Sequence, residues 1–261
     1  ADAVQVYKGL DIGSAKVTEE EKEGILHHLL DFKEVTEEYT IYHYQKDCRE
    51  KIKDIQSRNK TPILVGGTGL YIKAALYDYK LSEEKSTNTY DNLTNEELYE
   101  ELKKLDKDII IDKDNRRRLI RAINYYKENN ESINKNKTNK LLYNVIFIGL
   151  TTDRQVLYDK INKRVDEMIS QGLLEEVKSF YDKGIKSKPL LNAIGYRELY
   201  NYLDGNCTKE EAIEKIKQNS RHYAKRQYTF FNHQLPVVWF ETDYNNFNNT
   251  IEKVASYIDS N

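Results

Sequence analysis

The chain has no run of about 18 apolar residues, so it offers no membrane-spanning segment. Cysteine is nearly absent. Cys48 and Cys207 stand far apart, which excludes a disulfide framework and a Cys-x-x-Cys metal site and makes a reducing, cytoplasmic setting the expectation. No signal peptide is visible. The five histidines lack metal-ligand spacing; His27 and His28 are adjacent and would point apart on one strand or helix. An excess of positive charge is missing too. A net charge of −2 rules out a uniformly basic nucleic-acid binder, so any such contact must come from local patches. Proline is scarce, with three residues against 21 tyrosines, a bias that carries no functional weight.

What is present reads as a soluble globular protein of one large or two smaller domains. Val4 and Val6 flank Gln5 as at the end of a strand. Thr18, ahead of acidic residues 19–23, suits a helix N-cap. Residues 42–58 have a helical pattern with Tyr44, Cys48, Ile52 and Ile55 on one face. Pro62–Val65 is a short apolar run of buried-strand type, followed by Gly66-Gly67-Thr68-Gly69 and a helix over 70–77. Helices are expected at 95–105 and 116–127, and an exposed Asn/Lys-rich loop at 129–140. A second buried strand follows at 143–150, then helices at 154–169, 173–183, 196–203 and 210–231. A last strand at 237–240 and a helix at 250–258 end the chain. Strands interleaved with helices imply an α/β fold with a parallel sheet. The expected division is a core of 1–80 and 141–261 around a helical insertion at 81–140.

Five constellations can carry chemistry, and each has a plainer reading. The glycine turn at 66–69 lets backbone approach a ligand ahead of a helix N-terminus, or is simply a turn. It is not a Walker A loop, since no Gly-Lys-Ser/Thr follows. Asp2, beside the strand-like Val4–Tyr7, suits a general base or is a solvated carboxylate. Arg116, Arg117, Arg118 and Arg121 suit phosphates or form a solvated helix start paired with Asp112 and Asp114. In 217–232, Lys217, Arg221 and Lys225 recur every four residues with His222 and Arg226 beside them. Tyr223, Tyr228, Phe230 and Phe231 are interleaved there, as for single-stranded RNA or as core aromatics. Last, Asn192 to Arg197 is a Gly-Tyr-Arg corner or a helix start.

Their order is more telling. Residues 2–16 read Asp-x-x-Gln-Val-Tyr-x-Gly-x-Asp-Ile-Gly-x-Ala-Lys. His-His-Leu-x-Asp (27–31), GGTGLY (66–71), RRRLIRAI (116–123), Arg-Val-Asp-x-Met (164–168) with Gly-Leu-x-Glu-Glu-Val (172–177), IGYRE (194–198) and AKRQ (224–227) follow. Over residues 1 to about 240 this series resembles the bacterial tRNA dimethylallyltransferase family. Ala3 stands where that family usually has Ser, and Leu26 where it often has Pro. The family's Walker A-like loop precedes the Asp motif, and this chain is expected to start after it.

The resemblance implies a P-loop-like α/β core with a helical, tRNA-binding insertion. It implies transfer of a dimethylallyl group from dimethylallyl diphosphate, with Mg²⁺, to N6 of the adenosine 3′ of the anticodon. The acceptor is the tRNA anticodon stem-loop, and a cytoplasmic monomer with no membrane contact is expected. Asp2 becomes the general base and Thr68 a hydrogen-bonding partner of the adenine; Gln5 reads a base edge, with Ala3 and Val4 beside it. Arg117, Arg118, Arg121, Lys225 and Arg226 become phosphate contacts, with Asn192, Gly195, Arg197 and Gln227 also against tRNA. Tyr196 and Phe230 become stacking rings, and Arg164 the candidate diphosphate cation. The alternatives are a transferase acting on free adenine nucleotides and a P-loop small-molecule kinase.

Overall fold

The computed structural model describes residues 1–79, 81, 90–134 and 137–261, and these form two compact units, 1–75 with 144–261 and 76–143. Of the polar stretch expected at 81–95, residues 82–89 lie outside the described part.

In the first unit, residues 4–7 form turns, not a strand end. Only Tyr7 pairs, in an isolated parallel bridge to Lys33. Val6, Tyr7 and Leu10 are buried there. The expected helix after Thr18 closes after one turn, because the chain turns left-handed at Glu23 and Gly24. Helix α1 (Ile41–Ser57) starts at Thr40, whose N–H donates to His43 Nδ1 at 3.2 Å. It buries Tyr44, Cys48 and Ile52, the face its periodicity predicts. Helix α2 (Gly69–Leu76) packs on it through the stacked rings of Tyr44 and Tyr71, 4.2 Å apart. A helix leaves its last carbonyls without partners. Here Gln45 Nε2 donates to Ala74 O at 2.7 Å, and Arg49 Nε to Ala75 O at 3.0 Å.

Pro62–Val65 is a correction. It has no ladder partner among the described residues, and Ile63 and Val65 are 85% and 75% exposed. Apolar composition selects strand-like backbone but does not supply the neighbouring strand that would bury it. The strand expected at 143–150 is confined to Ile148–Thr151; Ile146 is partly exposed.

The second unit begins at the end of α2. Strand β1 (Tyr77–Tyr79) pairs antiparallel with β2 (Lys137–Leu141), Tyr77 opposite Leu141. The loop expected at 129–140 is therefore partly strand, and residues 135–136 lie outside the described part. Asn and Lys are poor strand formers, so pairing geometry overrides local preference. Helices α3 (Asn95–Leu105) and α4 (Arg116–Asn129) run as predicted between them. Thr94 caps α3 in a reciprocal box with Glu97, and Asn115 caps α4. Leu98, Leu102, Ile109, Leu119, Ala122 and Ile123 interlock as the core.

Back in the first unit, β3 (Ile148–Thr151) pairs in parallel with β4 (Val238–Glu241), Ile148 opposite Val238. That pairing across intervening helices is the expected α/β signature. The helices are α5 (Arg154–Ser170), α6 (Leu173–Tyr181), α7 (Lys188–Asn192), α8 (Tyr196–Leu203) and α9 (Lys209–Gln234); α10 (Phe247–Asp259) follows β4. The short α7 has no counterpart in the periodicity and carries Pro189 in its first turn, where proline is tolerated. Helix α9, with Thr208 and Glu211 as its capping box, spans 26 residues. Tyr228 on α9 bonds Thr151 at 2.8 Å and stacks on Trp239, which fixes α9 against the sheet.

Leu119→Ala should leave a void in the fully buried core of the second unit and lower its stability by about 2–5 kcal/mol. Urea denaturation checks this; a loss under about 1 kcal/mol would contradict the packing described.

Candidate functional site

The first residues and the glycine turn meet backbone to backbone. Thr68 N–H donates to Ala1 O at 3.1 Å, and Ala3 N–H donates to Thr68 Oγ1 at 3.2 Å. The close approach requires glycine. Gly66 has φ +148°, and a Cβ there would lie 2.2 Å from Ala1 O. Asp2 sits inside this junction. Its Oδ1 accepts from Val4 N–H at 2.7 Å and Gln5 N–H at 3.1 Å, a local turn that fixes the carboxylate. Among the described residues no hydrogen bond falls on Oδ2. Asp2 and Thr68, the two catalytic expectations, are thus neighbours.

Helix α9 closes the far side of the turn with Tyr223, Gln227 and Phe230, which share one face at spacings of four and three. Gln227 Nε2 donates to Gly67 O at 3.0 Å. The Phe230 ring lies where a Cβ on Gly69 would come within 2.3 Å. Phe230 is therefore half-buried against backbone and takes part in forming the site. Tyr223 is a residue the sequence reading did not assign here. Desolvation pushes its phenol up and the Asp2 carboxylate adds to the rise, while the neighbouring Thr68 and Gln227 side chains lower it. Burial likewise raises Tyr71, with Tyr7 and Asp2 contributing. The four-residue step from Tyr223 to Gln227 was the available signal.

Other expected residues lie apart from this junction or are occupied. Tyr196 is 0% exposed, with its hydroxyl donating to the Glu176 carboxylate. Its ring is not offered to a base, which corrects the stacking role. Burial first, then the adjacent Glu176 charge, pushes that phenol up. Gly195 is buried with φ +95°, and its N–H donates to Glu198 Oε2 at 2.8 Å. Asn192 and Arg197 are exposed, and the Arg197 guanidinium pairs with Glu198 at 2.7 Å.

The basic stripe divides. Lys217 pairs with Asp166 at 2.8 Å and Arg221 bonds Asn162, so both tie α9 to α5. Lys225 and Arg226 are exposed, and Arg226 stands 5.7 Å from the Tyr223 ring centre. Arg164 is exposed on α5. In the other unit, Arg116 is internal: its guanidinium donates to Leu93 O at 2.6 Å and Tyr90 O at 2.7 Å. Arg117 and Arg118 are exposed, and Arg121 is half-buried. Among the described residues no three His, Cys, Asp or Glu side chains are grouped to hold a metal ion.

A family model described as IPP transferase matches residues 5–234. A tRNA dimethylallyltransferase of Anoxybacillus flavithermus is 48% identical over 99% of this chain and 86% of its own length. One from Geobacillus thermodenitrificans is 46% identical over 98% of this chain and 86% of its own. Among solved structures, a tRNA delta(2)-isopentenylpyrophosphate transferase from Staphylococcus epidermidis superposes with a TM-score of 0.74. It is 38% identical, and the match covers all of this chain and 89% of that one. A eukaryotic dimethylallyltransferase acting on tRNA superposes with a TM-score of 0.85 at 26% identity, over 98% of this chain and 70% of that one. The fold is accordingly of the α/β, P-loop-like class expected, and the chain belongs to the IPP transferase family.

Proposed function

We propose that this protein transfers a dimethylallyl group from dimethylallyl diphosphate to N6 of adenosine 37, just 3′ of the anticodon in tRNA. The observation that carries this reading is the junction of Asp2 with Thr68 beside a glycine turn and helix α9. The names borne by its relatives support it.

The N6 lone pair of adenine is delocalised into the ring, so N6 is a weak nucleophile. As the N–C bond to the allylic carbon forms, the C–O bond to diphosphate breaks and one N6 proton must leave. Asp2 takes that proton. Two backbone N–H groups on Oδ1 hold the carboxylate in place, so no reorganisation is needed at the moment of transfer. Thr68 orients the base, with its hydroxyl placed by Ala3 N–H. The adenine must leave the anticodon stack, at a cost of about a few kcal/mol. Contacts from Arg117, Arg118, Arg121, Lys225 and Arg226 to the tRNA backbone offset it. Arg164 is assigned to the leaving diphosphate. Mg²⁺, which the chemistry calls for, accompanies the diphosphate itself, since Mg²⁺ commonly uses substrate phosphates as ligands. Among the described residues no helix is long and apolar enough to cross a membrane, and we read the protein as a cytoplasmic monomer with a tRNA-binding insertion.

Asp2→Ala should slow prenyl transfer by about 10²–10⁴-fold while anticodon stem-loop affinity changes by less than about threefold. Single-turnover transfer and a binding titration measure the two; normal turnover would refute the base assignment. Arg117→Ala with Arg118→Ala should weaken tRNA binding and flatten its salt dependence by about one unit of slope per lost phosphate contact. Affinity unchanged from that of the unsubstituted protein at both low and high salt would remove these arginines from the interface. Transfer to AMP as efficient as to tRNA would favour the free-nucleotide alternative.

A further inference from the structure

Gln5 lies beside the base carboxylate, and its amide has a fixed polarity. Nε2 faces two backbone carbonyls, Ser14 O at 3.0 Å and Ala15 O at 3.2 Å. A carbonyl only accepts, so the amide nitrogen, not the oxygen, must lie on that side. Both hydrogens of the amide are thereby used. What Gln5 has left for a ligand is Oε1, a pure acceptor.

Those two carbonyls belong to a loop whose own bonds, Ala15 N–H to Ile12 O at 3.0 Å and Lys16 N–H to Asp11 O at 2.9 Å, leave the N–H groups of residues 11–13 to an acceptor from elsewhere. Ala15 has φ +48°, a region that non-glycine residues avoid. The preceding residues, Asp11, Ile12 and Gly13, present three successive N–H groups, an arrangement that suits an anion. The anion is the protein's own. Glu176 Oε2 accepts from Asp11 N–H at 3.0 Å and Ile12 N–H at 2.8 Å, and Oε1 from Gly13 N–H at 3.2 Å. The buried hydroxyl of Tyr196 donates to the same carboxylate. Gly13 makes room for this, since a Cβ there would lie 2.5 Å from the Tyr196 ring.

We infer that Glu176 is a positioning residue for base selection. It clamps the 11–13 loop, the loop's next two carbonyls hold the Gln5 amide nitrogen, and Gln5 Oε1 is left to accept from a 6-amino purine and repel a 6-oxo purine. The inference rests on the proposed function for the identity of the base, while Glu176 itself never touches substrate.

The test uses the full chain and two anticodon stem-loops, one with adenosine and one with inosine at the target position. The unsubstituted protein should bind the adenosine stem-loop about tenfold more tightly. Glu176→Ala should bring that ratio close to one while inosine stem-loop affinity stays within about twofold. Glu176→Gln, whose amide oxygen still accepts from the loop, should restore part of the ratio. Tyr196→Phe, a milder lesion of the same clamp, should lower it partway and decides the matter should Glu176→Ala not fold. A wild-type ratio near one overturns the acceptor assignment. A folded Glu176→Ala, or a Tyr196→Phe in its place, with an unchanged ratio overturns the positioning role. Absence of prenyl transfer to the adenosine stem-loop by the unsubstituted protein would instead sink the proposed function.

Discussion

Sixty-five positions separate Ala3 from Thr68, and the bond between the Ala3 amide and the Thr68 hydroxyl brings the two stretches into one place. The fold around it answers to that constraint. Gly66 supplies a backbone conformation closed to other residues, so that residue 1 can reach the Thr68 amide. Gln227 holds the turn from the other side through Gly67 O, and Phe230 covers Gly69. Helix α9 in turn is held by Lys217 and Arg221 against α5, and by Tyr228 against the β3–β4 pair. A carboxylate, a hydroxyl and a phenol gather at one point because three separate segments of chain are tied there.

Much of the fold is legible wherever a local rule suffices. The buried face of α1, the spans of α3 and α4, and the long basic helix α9 follow from spacing alone. Errors arise where a distant partner decides. Pro62–Val65 has strand composition without a strand beside it, whereas Lys137–Leu141 has loop composition and gains a strand partner in β1. The site divides in the same way. Asp2, Thr68 and Gln227 were visible as residue types in a fixed order. The parts played by Tyr223 and Glu176 were not, because they lie in contacts with loops far away in sequence. Tyr196 misled for the same reason: a Gly-Tyr-Arg corner resembles surface until Glu176 is found to hold its hydroxyl.

Charge follows a similar logic. Periodicity makes Lys217, Arg221 and Lys225 one stripe, but the first two are committed to Asp166 and Asn162 inside the unit. Of the basic residues in 217–226, Lys225 and Arg226, nearest the glycine turn, keep their cations exposed. A chain with a net charge of −2 can in this way keep positive charge beside the place where a polyanion would arrive.

Lys16 shows how finely the N-terminal loop is fitted. Its side chain is 8% exposed, and its ammonium donates to Tyr7 O at 2.7 Å, Asp11 at 2.6 Å and Asp31 at 2.7 Å. Three acceptors arranged around one tetrahedral nitrogen leave no room for a flat, forked guanidinium. Arginine, ordinarily the mildest exchange for lysine, would therefore break this knot, and amine-directed reagents would find Lys16 silent among the chain's lysines.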